Sequence, residues 1–150
     1  MAYEQLKLDN QLCFRLYTSA RLVTQAYYPY LEPLGITYPQ YLVLLVLWEH
    51  DHQPVNTIAK RLRLETNTIT PLLQRMDQQG LVTRIKSEKD SRQRIVSLTD
   101  KGKALEQQAQ TIPECLAGKI CAWNISTEEL MQIIPALDKL IEGLRDESNR

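Results

Sequence analysis

VNTIAKRLRLETNTITPLLQRMDQQGLVTRIKSEKDSRQRIVSLTDKG, residues Val55–Gly102, is the stretch from which the rest of the chain can be read. Its opening places Val55, Ile58, Ala59 and Leu62 at helical spacing and leaves Lys60, Arg61 and Arg63 outside, which predicts a short helix with one cationic flank. After a turn at Arg63-Leu64-Glu65, a second one-sided stripe follows in Ile69, Leu72, Leu73 and Met76, and Gly80 supplies a left-handed stop. Two short helices joined by a tight turn make a helix-turn-helix. Pro71 fits the second helix if Asn67 or Thr68 is its N-cap, because a first-turn proline removes an N–H that has no intrahelical partner. Thr66, Asn67, Thr68 and Thr70 then stand at the helix start, where short polar side chains reach base edges and phosphates. Gln74 and Arg75 are further candidates on the same helix.

Moving outward, LVTRI (Leu81–Ile85) and RIVSL (Arg94–Leu98) are β-rich and bracket a polar loop, KSEKDSRQ, which predicts a hairpin wing. From Val55 to Lys103 there are eleven basic residues against five acidic ones, a local +6 in a chain whose net charge is zero. Arg84, Lys86, Arg92 and Arg94 carry that excess onto the wing. A cationic face on a neutral chain implies a polyanionic partner for that face, since phosphate contacts supply most sequence-independent affinity for DNA.

The 150 residues, 43% of them hydrophobic, suffice for one domain with a real core or for a compact domain plus a dimerisation extension. No apolar run approaches a membrane span, and MAYEQLKLDN lacks the pattern of a signal peptide, so a cytoplasmic chain with no membrane partner is expected. Three cysteines without a CxxC pair argue against a secreted disulfide framework. GxGxxG, P-loop and HExxH motifs are absent; no cofactor and no metal are expected, and the chain does not read as a conventional nucleotide or metal-dependent enzyme.

The first long helix is expected from about Leu8 to Tyr28, capped by Asp9 or Asn10 and ended by Pro29. Cys13 lies near its start. There the helix dipole and Arg15 favour a thiolate, while the pattern alone reads the same residue first as a small hydrophobe packed beside Leu12 and Leu16. A tyrosine-rich, proline-punctuated connection follows, and Thr37 with Gln40 forms a capping box for a helix that is apolar nearly all round to His50 and must be the central core helix. His50 and His52 are a metal-ligating pair or solvated loop residues. Beyond the wing, Thr99 caps a helix that Pro113 bends or restarts, with Cys115 and Cys121 on it. Ser126 and Glu129 cap a final helix whose Leu130, Ile134, Leu137, Ile141 and Leu144 form a seam that needs a partner, such as a second copy in a two-fold dimer.

The fold expected is mainly α with a small β-hairpin: a winged helix-turn-helix over about 36–103, with dimerising helices over about 1–35 and 104–150. DSRQRIVSLTDKG (Asp90–Gly102) resembles the wing signature of the MarR family of dimeric winged-helix regulators. NQLCFRLY (Asn10–Tyr17), GITYPQYLVLLVLWEH (Gly35–His50) and TITPLLQRM (Thr68–Met76) are similar to its organic-hydroperoxide-sensing, OhrR-type branch. The resemblance covers nearly the whole chain. It implies that Cys13 is a peroxidatic thiol, that Tyr27 and Tyr38 reach it from the other subunit, and that Tyr17 lies near it. It implies that Asp90 and Arg92 are the wing pair, with Arg92 entering a minor groove, and that Cys121 or Cys115 is a candidate resolving thiol, each also readable as an inert one. The function implied is a repressor that releases pseudo-palindromic operator DNA when an organic hydroperoxide oxidises Cys13. The alternatives are a repressor answering a phenolic or drug-like ligand, a thiol peroxidase, and a metal sensor using His50, His52 and a cysteine.

Overall fold

The structure, a computed structural model, describes residues 3–149. It contains two compact units, one ending at Gln110 and the other starting at Thr111.

In the first unit, two short 3₁₀ turns, Glu4–Leu6 and Leu8–Asn10, precede helix α1, Leu12–Leu31. Two expectations for this helix change. Neither Asp9 nor Asn10 caps it: Asn10 turns its amide back to the Glu4 carbonyl at 2.6 Å, and Gln11 is the N-cap without a side-chain bond. Nor does Pro29 end it. The helix runs on to Leu31, which is buried and anchors the last turn in the core, and Gly35, at φ 69°, makes the left-handed exit after a 3₁₀ turn at Glu32–Leu34.

Helix α2, Tyr38–Glu49, opens on the capping box. The Thr37 N–H donates to Gln40 Oε1 at 3.0 Å, and the Gln40 N–H to Thr37 Oγ1 at 3.4 Å. Tyr41, Val43, Leu44, Val46 and Leu47 are buried on it, as its nearly continuous apolar sequence requires. Helices α3, Val55–Leu62, and α4, Thr66–Gln78, pack on α2 through Ile58, Ala59, Ile69, Leu72, Leu73 and Met76. Each fully buried Leu, Ile or Met side chain contributes roughly 1.5–3 kcal/mol. Arg63, left-handed at φ 55°, turns the chain between them.

Helix α4 begins earlier than expected. Its N-cap is Glu65, not Asn67 or Thr68, so Pro71 sits past the first turn, inside the helix. The proline removes the hydrogen bond to the carbonyl of Asn67, which is exposed and can be hydrated, while buried Ile69 holds the first turn against the core.

Three antiparallel strands form a sheet in the order β1-β3-β2. Strands β2, Val82–Lys86, and β3, Arg94–Leu98, make the wing, in register from Val82 opposite Leu98 to Lys86 opposite Arg94. Leu81 stays outside the strand because its N–H bonds the Met76 carbonyl and closes α4. Strand β1 is only Gln53–Pro54, paired with Val96 and Ile95 and too short to leave a periodic signal. Thr99 caps α5, Asp100–Ala109, where a Cβ on Gly102 would stand 2.2 Å from the Leu81 carbonyl oxygen. Only glycine fits that approach.

The second unit holds α6, Ile112–Cys121, and α7, Thr127–Ser148. Pro113 restarts the chain as α6 because a proline is tolerated in a first turn. Ser126 and Glu129 form the expected capping box of α7. That helix buries none of its residues, and Met131, Ile133, Ile134, Ile141 and Leu144 are exposed on it.

Candidate functional site

The start of α4 and the wing enclose a cleft of about 310 Å³. Thr66, Thr70, Gln74, Arg84, Arg92 and Arg94 line it, so six of the candidate DNA-contacting residues converge on one concave surface. Three guanidinium groups beside hydroxyls and an amide make a surface complementary to a sugar-phosphate backbone. Asn56, at the start of α3, and Gln93, on the wing, also line it and are not among the residues the sequence pattern points to. Position at the N-terminal turn of the first helix is the signal that marks Asn56; Gln93 carries none. Asn67, Thr68 and Arg75 are exposed on α4 and Lys86 on β2, outside this cleft.

Two residues act differently from a simple contact. Arg84 has a side chain only 17% exposed, and its Nε donates to Asp77 Oδ2 of α4 at 3.2 Å, so it ties the wing to the second helix. Asp90 accepts the Arg92 backbone N–H at 3.0 Å and lies 3.4 Å from Arg92 Nε. It orders the wing turn and leaves the Arg92 side chain 91% exposed, projecting from the tip.

Elsewhere in the unit, Tyr27 and Tyr38 pack against each other with ring centroids 4.8 Å apart and planes tilted by 45°. Tyr41, absent from the expected set although it lies one turn after Tyr38, completes the cluster at 5.7 Å from Tyr27 and 6.3 Å from Tyr38. Burial raises the pKa of all three phenols above the ordinary tyrosine value, and neighbouring phenols raise Tyr27 and Tyr41 further. They are therefore neutral O–H donors at physiological pH. An apolar hollow of about 450 Å³ lies beside them, lined by Thr24, Tyr28, Leu31, Ile36, Tyr38 and Pro39 among others.

Cys13 is exposed in the first turn of α1, with Tyr17 one helical turn along the same face, also exposed. Arg15 is committed to the Gln11 carbonyl through Nη1 at 3.1 Å. Within one chain Cys13 does not join the tyrosine cluster, because Cys13 and Tyr27 lie on α1 with about 21 Å of helix between them. Cys115 and Cys121 are exposed free thiols on α6. His52 Nδ1 contacts Ser97 Oγ at 2.7 Å, bracing the β1–β3 junction. Among the described residues no group of three or more His, Cys, Asp or Glu is placed to hold a metal ion, and no helix is long and apolar enough to cross a membrane.

Comparison with known proteins gives a consistent result. The family model for the transcriptional regulator SarA/Rot matches residues 25–109. The organic hydroperoxide resistance transcriptional regulator of Bacillus subtilis (strain 168) is 45% identical over 146 residues, 97% of this chain and 97% of that protein. Among solved structures, reduced AbfR bound to DNA is similar with a TM-score of 0.74 and 40% identity, covering 94% of this chain and 96% of that one. AbfR is a Staphylococcus epidermidis protein. Its disulfide form is similar with a TM-score of 0.60 and 39% identity, covering 98% and 96%. A family match over more than half of the chain, and a relative of such identity along nearly all of it, show the family: this protein belongs to the MarR family of winged-helix transcriptional regulators, on its organic-hydroperoxide-regulator branch.

Proposed function

We propose that the protein is a cytoplasmic, homodimeric repressor that binds pseudo-palindromic operator DNA and releases it when an organic hydroperoxide oxidises Cys13. The observation that carries this reading is the separation of an exposed thiol at the start of α1 from a cluster of neutral phenols at its end. A second copy of the chain can bring Cys13 to Tyr27 and Tyr38; one copy cannot. The bare apolar residues of α7 supply the surface such a dimer buries.

The chemistry balances simply. The Cys13 thiolate attacks the outer oxygen of the peroxide, the O–O bond breaks, sulfur is oxidised to a sulfenic acid, and the alkoxide leaves and takes a proton to become the alcohol. A second thiol, Cys121 or Cys115, then condenses with the sulfenic acid to a disulfide with loss of water. Either product replaces a small thiol at a packed subunit contact. The dimer shifts to a state whose recognition helices no longer match half-sites about 34–36 Å apart. The reaction is stoichiometric signalling rather than turnover, so the protein is not an enzyme. In support, AbfR has been solved reduced and bound to DNA and in a disulfide form; its overoxidised form is also bound to DNA, which favours the disulfide as the releasing product.

The deciding experiment is a gel shift on the protein's own upstream region, with and without cumene hydroperoxide, using wild type and Cys13→Ser. Binding by both and release of the wild type alone is the expected result. Release of Cys13→Ser by the peroxide would overturn the assignment. The apolar hollow beside Tyr38 favours a second reading, in which a phenolic or other small apolar ligand is the inducer. That reading requires release by such a ligand with every thiol still reduced.

A further inference from the structure

Besides an exposed ion pair from Glu49 to Arg61 of α3, helix α2 makes two polar contacts that its apolar packing does not require. Gln40 is a buried polar side chain, 3% exposed. Its Oε1 serves the capping box, while its Nε2 donates to Gln79 Oε1, at the end of α4, at 2.8 Å. Two turns further along, Trp48 Nε1–H donates to the Gly102 carbonyl at 3.0 Å. Gly102 lies against the Leu81 backbone at the root of the wing, where the Thr99 hydroxyl also bonds the Leu81 carbonyl. The same helix carries Tyr38 and Tyr41 of the phenol cluster, and the Tyr41 ring meets Trp48 edge-on at 6.3 Å.

Apolar contacts let a helix slide by an ångström at small cost, because they have little directionality. Hydrogen bonds weaken steeply with misalignment, and breaking one inside a protein leaves a desolvated group unpaired. A helix tethered at both ends therefore moves its partners with it.

We propose that α2 transmits the state of the tyrosine cluster to the DNA-reading elements, with Gln40 and Trp48 as the positioning residues, Gln40 acting on the recognition helix through Gln79 and Trp48 on the wing root through Gly102. This rests on the reading that Cys13 oxidation governs operator release. It adds how a change at Tyr38 reaches α4 and the wing through residues that touch neither peroxide nor DNA.

The test uses full-length Gln79→Met, Trp48→Phe and the double variant. For each, operator Kd is measured by fluorescence anisotropy before and after stoichiometric cumene hydroperoxide, along with the Cys13 oxidation rate by mass spectrometry and Tm. Gln79 is exposed, so Gln79→Met removes the tether and leaves the capping box in place. The expected result is reduced-state affinity within about threefold of wild type, an unchanged oxidation rate, and a ratio of oxidised to reduced Kd that falls by about fivefold or more in the double variant. Gln79→Glu, which keeps an acceptor for Gln40 Nε2, restores the ratio at that end. A ratio equal to or above that of wild type, or affinity weakened equally in both states, overturns the inference alone. Failure of the wild type itself to release DNA overturns the underlying reading together with it.

Discussion

Cys13 and Tyr27 stand on one unbroken helix, α1, separated by about 21 Å of its axis. No rotamer closes that distance, so any contact between this thiol and the phenol cluster is a contact between two chains.

Complementation between chains follows. In the proposed dimer both hydroxyls donate to the thiolate, so Tyr27→Phe/Tyr38→Phe should slow Cys13 oxidation by about tenfold or more. Mixing that variant with Cys13→Ser, after subunit exchange, gives heterodimers in which one intact thiol faces one intact cluster. Stopped-flow oxidation of the mixture should recover a fast phase that neither parent shows. Its absence would mean that thiol and phenols do not meet across the dimer.

The phenol cluster sets a stability limit at alkaline pH. Tyr27, Tyr38 and Tyr41 have folded-state pKa values raised above 10.0, mainly by burial. The unfolded chain therefore ionises first. Their contribution is fully present below about pH 10 and is lost as pH rises through the folded values. Tm measured from about pH 9 to about pH 11.5 should fall across that window, and less steeply in Tyr38→Phe. A profile in the variant that overlays wild type would contradict the placement of the cluster.

Asp77 and Arg92 should separate cleanly by salt dependence. Arg92 projects from the wing tip, so Arg92→Gln should lower the slope of log K against log salt by about 0.9 for each phosphate the guanidinium neutralises. Asp77 holds Arg84 in place. Asp77→Ala should weaken binding while leaving the slope near that of wild type, because it removes the acceptor that braces Arg84 and takes no positive charge off the phosphates. Anisotropy titrations at several salt concentrations distinguish the two.

Gly102 tests the packing at the wing root. A methyl group there meets the Leu81 carbonyl oxygen at 2.2 Å, and Gly102→Ala should cost about 1–3 kcal/mol of unfolding free energy. Gly118→Ala on α6, where the space is open, should instead stabilise by about 0.5–1 kcal/mol. Urea unfolding of the two variants should show shifts of opposite sign.

Much of this architecture was legible in the residues. The stripes of α3 and α4, the capping boxes at Thr37 and Ser126 and the apolar run of α2 are local patterns, and each appears where the pattern puts it. The helix boundaries set by proline were not. Pro29 and Pro71 read as terminators or first-turn residues, yet both lie within helices, because Leu31 and Ile69 dock in the core and hold the backbone through the missing bonds. Arg84 read as a contact to DNA; it lines the cleft and is in addition braced on Asp77, a tie the local pattern did not show. Tyr41 was singled out by no local pattern and is found buried in the phenol cluster.

The sequence by itself determined which segments are helix or wing, which side of each is apolar, and that a cationic surface would cover the helix-turn-helix. These depend on periodicity and on groups a few residues apart. Only the tertiary structure decided which arginine is braced on Asp77 and which stands exposed, which tyrosines share a cluster, and that α2 is tethered to both α4 and the wing root. Those facts join residues from 7 to 54 positions apart, and burial and directional hydrogen bonding between distant segments select them.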